Sequence, residues 1–277
     1  MTPMEKVRFY HVMIDSLMGE RDTTRNTNAS LELGFKVLAE LGCSFPQSAL
    51  MVGMATIRGL FKLKNAAKND WTDQTINKLP ITTDPDTASV MKTLSRFFLI
   101  TYVCKPELIP LVIVKNIKMT FEKGVSIYSP PSFASLGMII SHSMGDDETG
   151  KKLASFSLRL VGRLKNTSRV AESETMLIAY STTLHWTMFI QACRVPYLEA
   201  YQIGMRTGDT FFSVMVGALL LLAFLRSGNV SRTPRGGSFK LYEGRRRLWM
   251  YFTKGLPLPA SAGGIEPPGK FPRIGSF

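Results

Sequence analysis

Residues 210–228 read TFFSVMVGALLLLAFLRSG, and between Thr210 and Arg226 they carry no charge. A run of this kind is either a membrane span or a helix buried inside a helical assembly. Length favours the second. Phe211 to Leu225 is 15 residues, about 22 Å as an α-helix, against a hydrocarbon core of roughly 30 Å. The sequence therefore predicts a packed helix that is apolar all round and awaits a second helix to cover it, and no transmembrane segment. FFLITYVC (97–104) and LIPLVIVKNIKM (108–119) raise the same question, and Lys105 and Glu107 interrupt them, so they too read as packed helices.

A spacing pattern places the 210–228 window. Val52-Gly53, Leu94-Ser95, Leu136-Gly137, Ile178-Ala179 and Val216-Gly217 each pair an apolar residue with a small one, and the small residues stand 42, 42, 42 and 38 positions apart. In stacked helix pairs a small side chain recurs where partner helices cross closely. Phe133, Leu136, Gly137 and Ile140 follow the spacing of the first helix of a tetratricopeptide-like unit. The units are longer than the ~34 residues usual for that repeat and nearer the armadillo or HEAT range.

The rest of the chain to residue 226 reads as helix. Val7, Tyr10, His11 and Ile14 lie on one face of a predicted helix over Met4–Gly19. A second helix is capped by Asn28 or Ser30, turns Leu33, Val37 and Leu41 inward and stops at Gly42. Further helices are expected near 47–64, 73–78, 85–103, 106–123, 131–144, 147–165, 172–190, 194–207 and 210–226. Asp84-Pro85 is a cap followed by proline at the first helical position, and Gly124, Gly145 and Gly208 are candidate helix stops. The predicted fold class is all-α, a helix-pair repeat solenoid of tetratricopeptide-like type over residues 1–226.

After Arg226 the helical period ends. Residues 226–277 hold ten Lys/Arg against two Asp/Glu, so +8 of the chain's net +13 lies there. Glycine and proline make up 15 of these 52 residues, a composition unsuited to a packed core. Residues 227–277 are thus expected to be a disordered basic tail. The body carries only +5, which argues against a basic groove for nucleic acid along it. Arg245-Arg246-Arg247 beside Leu248, Trp249, Tyr251 and Phe252 leaves two readings, a solvated stretch or a contact for nucleic acid or an acidic membrane.

Three scattered cysteines, Cys43, Cys104 and Cys193, each in an apolar neighbourhood, read as reduced, buried thiols of a cytoplasmic protein. The N-terminus, with Glu5 and Asp15, reads as neither a signal peptide nor a transit peptide.

Gly145-Asp146-Asp147-Glu148-Thr149-Gly150-Lys151-Lys152 matches G-x-x-x-x-G-K, the phosphate-binding loop, but Lys152 stands where Ser or Thr should hold magnesium. Its three acids oppose a triphosphate, and helix rather than strand precedes it. An inter-helix turn with acids against the next helix's dipole accounts for it better. His11, His142 and His185 have no Cys or acid at metal-ligand spacing. Ser135, Ser141 and Ser143 lack a nucleophile-elbow context. No catalytic, cofactor-binding or metal-binding residue is therefore assigned.

LPITTDPDTASVMKTLS (79–95), DDETGKKLASFSLRL (146–160) and LHWTMFIQACRVPYLEAYQIGMRTGD (184–209) together carry a resemblance. The L-P-x-x-T-D-P turn from Leu79 to Pro85 and L-E-A-Y-Q-x-G-x-x-T-G-D from Leu198 to Asp209 are its most specific pieces. Roughly over residues 5–228, the chain resembles the helical-repeat region of multidomain AAA/STAND ATPase signalling proteins. In that family a kinase-like domain and the ATPase precede tetratricopeptide-like repeats, and sensor modules with a histidine kinase or nucleotide cyclase follow. The resemblance implies a regulatory, non-catalytic module that binds a protein partner or adjacent domains of a parent protein, of which this chain is a fragment. It supplies no catalytic residues, and the tail from about Asn229 has no counterpart in it. The alternative expectation is a basic-tailed adaptor for nucleic acid or an acidic membrane surface.

Overall fold

Ten α-helices run through the residues that the computed structural model describes, namely Val12 and residues 23–46, 48–165, 167–186 and 188–227. In chain order they are α1 (Thr23–Glu40), α2 (Ala49–Asn69), α3 (Asp73–Lys78), α4 (Pro85–Cys104), α5 (Ile109–Lys123), α6 (Pro130–Met144), α7 (Asp147–Leu164), α8 (Glu172–Ile178), α9 (Arg194–Thr207) and α10 (Thr210–Ser227). Among the described residues the only β pairing is an isolated bridge between Ile81 and Val125, in the loops before α4 and after α5. The all-α expectation therefore holds. Apart from Val12, the helix expected over 4–19 lies outside the described residues, as does the tail.

Helix starts follow the side-chain chemistry. The Asp84 carboxylate accepts from the amides of Asp86 and Thr87 at 3.2 and 3.1 Å, with Pro85 opening α4. Ser48 accepts from the Met51 amide, and Thr72 forms a capping box with Thr75 at the head of α3. Each satisfies backbone donors that a helix start leaves unpaired. Gly145 and Gly208 end α6 and α9 in the left-handed conformation, with φ of +66° and +78°, which glycine adopts without a Cβ clash.

One helix departs from the expectation. The segment 172–190 does not stay α-helical: α8 ends at Ile178, a π turn follows over Ala179–Thr183, and a 3₁₀ turn follows over Leu184–Trp186. The Thr182 hydroxyl donates to the Ile178 carbonyl at 2.6 Å, and the Trp186 indole donates to the Thr182 carbonyl at 2.9 Å. Side-chain donors that take carbonyls of the preceding turn loosen the regular ladder.

The core forms around three groups. Leu31, Leu38, Leu94, Phe97 and Ile100 join α1 to α4, with Val112 of α5 against them. Trp71, Phe121, Phe133 and Phe156 meet at ring separations of 5.0 to 6.1 Å and tie the α2–α3 connection to α5, α6 and α7. Full burial of rings such as Phe133 and Phe156 is worth about 1.5–3 kcal/mol each, with roughly 0.5–1.5 kcal/mol more per aromatic pair. Met176, Leu177, Tyr197, Ile203, Phe212 and Val216 close α8 on α9 and α10.

The spaced small residues do not share one role. A Cβ on Gly137 would lie 2.7 Å from the Gly150 carbonyl oxygen, so α6 and α7 cross there as the spacing requires, and Gly217 lies against the Tyr201 ring. Gly53 faces nothing within 4 Å, Ser95 donates to Glu174, and Ala179 falls in the π turn. Other close crossings sit off the register, at Gly34 against Phe97, Gly59 against Val114, and Gly204 against Ser213. Polar ties also reach across the sequence order. From α7, Lys152 donates to the Lys68 carbonyl at 2.8 Å, and Arg163 donates to the Ile76 and Leu79 carbonyls, both at 2.6 Å. These cations serve the carbonyl ends of α2 and α3, where helix dipoles favour positive charge.

Candidate functional site

The phosphate-loop look-alike is a helix–helix connection. Gly145 ends α6, and Asp146 caps α7 by accepting from the Thr149 amide at 3.1 Å. Asp146 also pairs with Lys64 and Lys68 of α2 at 3.1 and 3.0 Å. Burial opposes its charge, but the Thr149 amide and the two ammonium groups outweigh burial and hold the carboxyl well below the usual carboxylate range. The loop's own acid thus occupies the helix N-terminus where a phosphate would bind, and Lys152 is engaged at the Lys68 carbonyl.

The histidines are placed by aromatic packing. His142 Nδ1 lies 2.9 Å from the Met138 carbonyl, and Trp186 sits between the two rings, 4.0 Å from His185 and 6.1 Å from His142. Among the described residues no three His, Cys, Asp or Glu side chains gather as metal ligands. Cys43 and Cys193 are buried free thiols, and burial pushes both up. His11, the Cys104 side chain and Arg245 to Phe252 lie outside the described residues.

Sequence reading missed a buried acid cluster between α4, α8 and the α9–α10 connection. Glu174 is buried on α8, where Ser95 of α4 donates to its Oε2 at 3.4 Å. Burial, reinforced by the Asp209 carboxylate, pushes Glu174 up to about 8, and Arg96 and the Ser95 hydroxyl relieve only part of that. Asp209 is raised as well, first by burial, against the opposing Phe212 amide and Arg96. Two residues earlier, Glu172 is also buried, and it is held by Arg169 at 2.5 and 3.1 Å and Lys165 at 3.5 Å. The signal was present in Ala171-Glu172-Ser173-Glu174, acids in a segment that must pack. This arrangement can take up and release a proton within the fold, but Glu174, 6 % exposed, offers almost no surface to a substrate.

Among the described residues two stretches of exposed apolar side chains stand out, one on α9 and α10 and one on α2. On α9 and α10, Val195, Leu198, Tyr201 and Met205 are exposed, as are Phe211, Val214 and Leu221. Tyr201 against Gly217 makes the two stripes continuous. Within the 210–228 window Phe212, Ser213 and Val216 are buried against α8 and α9, while Phe211, Val214 and Leu221 on the opposite face are exposed. On α2, Leu50, Met54, Ile57 and Phe61 form a second exposed stripe at helical spacing. Among the described residues no helix is long and apolar enough to cross a membrane. No family model, curated protein or solved structure matches this chain.

Proposed function

We propose that this chain is a non-catalytic protein-interaction module of stacked helix pairs, tetratricopeptide-like in kind. It works in the cytoplasm as part of a larger ATPase-containing signal-transduction protein. The observation that carries the proposal is the bare apolar face of the α9–α10 hairpin. That hairpin is built like α6–α7: each has a left-handed glycine, a capping aspartate and a close glycine–serine contact beside the turn. The α6–α7 pair is covered by the next element, α8, which packs on both of its helices. On the α9–α10 hairpin α8 packs against one side of both helices, and among the described residues no further element follows on the other side, where Val195, Leu198, Phe211, Val214 and Leu221 are exposed. An apolar face of this extent on a helix pair fits a following helical unit, and its cover is the function assigned to it.

The experiment is the size of the native protein in its own cells, by immunoblot with antibody against residues 130–209. The proposal expects a band several times larger than the 30.9 kDa of this chain. A single band at that mass would remove the larger signalling protein from the proposal.

A further inference from the structure

We propose that α2 and the end of α6 form a docking groove for an acidic amphipathic helix of a partner protein. This surface is separate from the α9–α10 face and does not depend on what covers that face. The groove, of ≈390 Å³, is lined by Ile57, Leu60, Phe61 and Lys64 of α2 with Ser143 and Met144 of α6. It runs into the exposed stripe of Leu50, Met54, Ile57 and Phe61. An amphipathic helix laid in such a groove presents anchors at i, i+3, i+4 and i+7. Met144 in the groove and Met54 on the stripe give the surface unbranched, polarisable side chains that adapt to different anchors.

Charge sets the partner's sign. From Ala49 to Asn69, α2 has four basic residues, Arg58, Lys62, Lys64 and Lys68, and no acid. Lys64 and Lys68 are engaged with Asp146, whereas Arg58 and Lys62 are exposed along one flank of the stripe. The opposite flank is the groove wall. Gly59 faces the other way, onto Val114 of α5, so the stripe is not the face that α2 uses within the fold. A concave, one-sided basic apolar site matches a helix with acids along one edge better than it matches a flat lipid surface.

The test is selection on the full chain from a displayed library of helical peptides about 14 residues long, four turns. Selected peptides are then synthesised and titrated. The inference expects apolar anchors at i, i+3/i+4 and i+7 with Asp or Glu on one flank. It also expects binding about tenfold weaker for Phe61→Asp. Arg58→Glu with Lys62→Glu should weaken acidic peptides about tenfold and favour peptides whose acids are exchanged for Lys. Phe61, Arg58 and Lys62 are exposed, so unchanged melting of these variants separates a lost site from a lost fold. Peptides without an acidic bias, or binding indifferent to both variants, would overturn the inference. So would cosedimentation with phosphatidylserine vesicles, abolished by the same variants, in the absence of any peptide selected for this groove.

Discussion

The Ser141 hydroxyl oxygen stands 2.1 Å from the point where a β-carbon on Gly150 would lie, so α6 and α7 meet with no room for a side chain there. The α9–α10 hairpin shows the same contact with the residues exchanged: a Cβ on Gly204 would lie 2.1 Å from the Ser213 hydroxyl oxygen. In each hairpin the first residue is four positions before the left-handed glycine and the second is five after it. The two turns are one design with glycine and serine swapped.

Gly150→Ser should destabilise the protein by about 1–3 kcal/mol, the usual cost of overpacking a tight contact. Adding Ser141→Gly recreates the arrangement of the other hairpin and should recover part of that loss. The recovery stays partial because the Gly137 carbonyl lies 2.8 Å from the same point. Gly137→Leu, which drives a side chain into the Gly150 carbonyl, should cost at least as much and find no rescue in Ser141→Gly. Urea denaturation of these four variants, with Ser141→Gly alone and the wild type, closes both cycles.

Glu174 makes stability depend on pH in an unusual sense for a carboxylate. Its folded value, about 8, lies above its ordinary 4.5, so the native state holds the proton more tightly than the unfolded chain does. The stabilising contribution is complete below pH 4.5 and is lost as pH rises through 8. Asp209, also raised, has the same sign. Between pH 5 and 8 the protein should lose on the order of 3 kcal/mol, and Glu174→Gln should flatten that slope. Melting temperatures across the range, wild type against variant, measure it.

Asp146 acts in the opposite direction. Its carboxyl is lowered in the folded state, so its contribution is present above its ordinary value of 3.8 and is lost as pH falls below it. Asp146→Ala removes both the α7 cap and the Lys64 and Lys68 partners, at a cost of about 1–2 kcal/mol by denaturation at neutral pH. Asp146→Asn keeps a capping oxygen and should recover most of the cap's share. Excess Mg-ATP should leave the wild-type melting temperature unchanged, because the loop's anion site is filled by the Asp146 carboxylate.

The sequence made most of this architecture legible because caps and stops are local. Asp84 before Pro85, Asp146 after Gly145 and Asp209 after Gly208 each mark a boundary within a few residues. The break inside 172–190 was not legible, since the competition of Thr182 and Trp186 for nearby carbonyls depends on packing around them. Nor was the Glu174 cluster: its partners Ser95, Arg96 and Asp209 come from elements far away in the chain. The 42-residue register located one true close crossing, at Gly137, while Gly53 shows that a small residue alone does not make a crossing.

Substitutions on the bare hairpin face should separate stability from association. Val214→Glu and Leu221→Lys change exposed side chains and should shift folding stability by no more than about 0.5 kcal/mol. The same changes should abolish association of that face with the helical unit that covers it, read by loss of crosslinks from the face in cells. A loss of several kcal/mol would mean that α10 is covered within the chain itself.

The most direct measurement replaces Val214 with a photo-crosslinking amino acid in cells and maps the adducts by mass spectrometry. Adducts on helical segments with apolar residues at i, i+3, i+4 and i+7, whether in the parent protein or a partner, are the expected result. Adducts confined to lipid, or none above a control probe at buried Val216, would contradict a helical interaction module that uses this face.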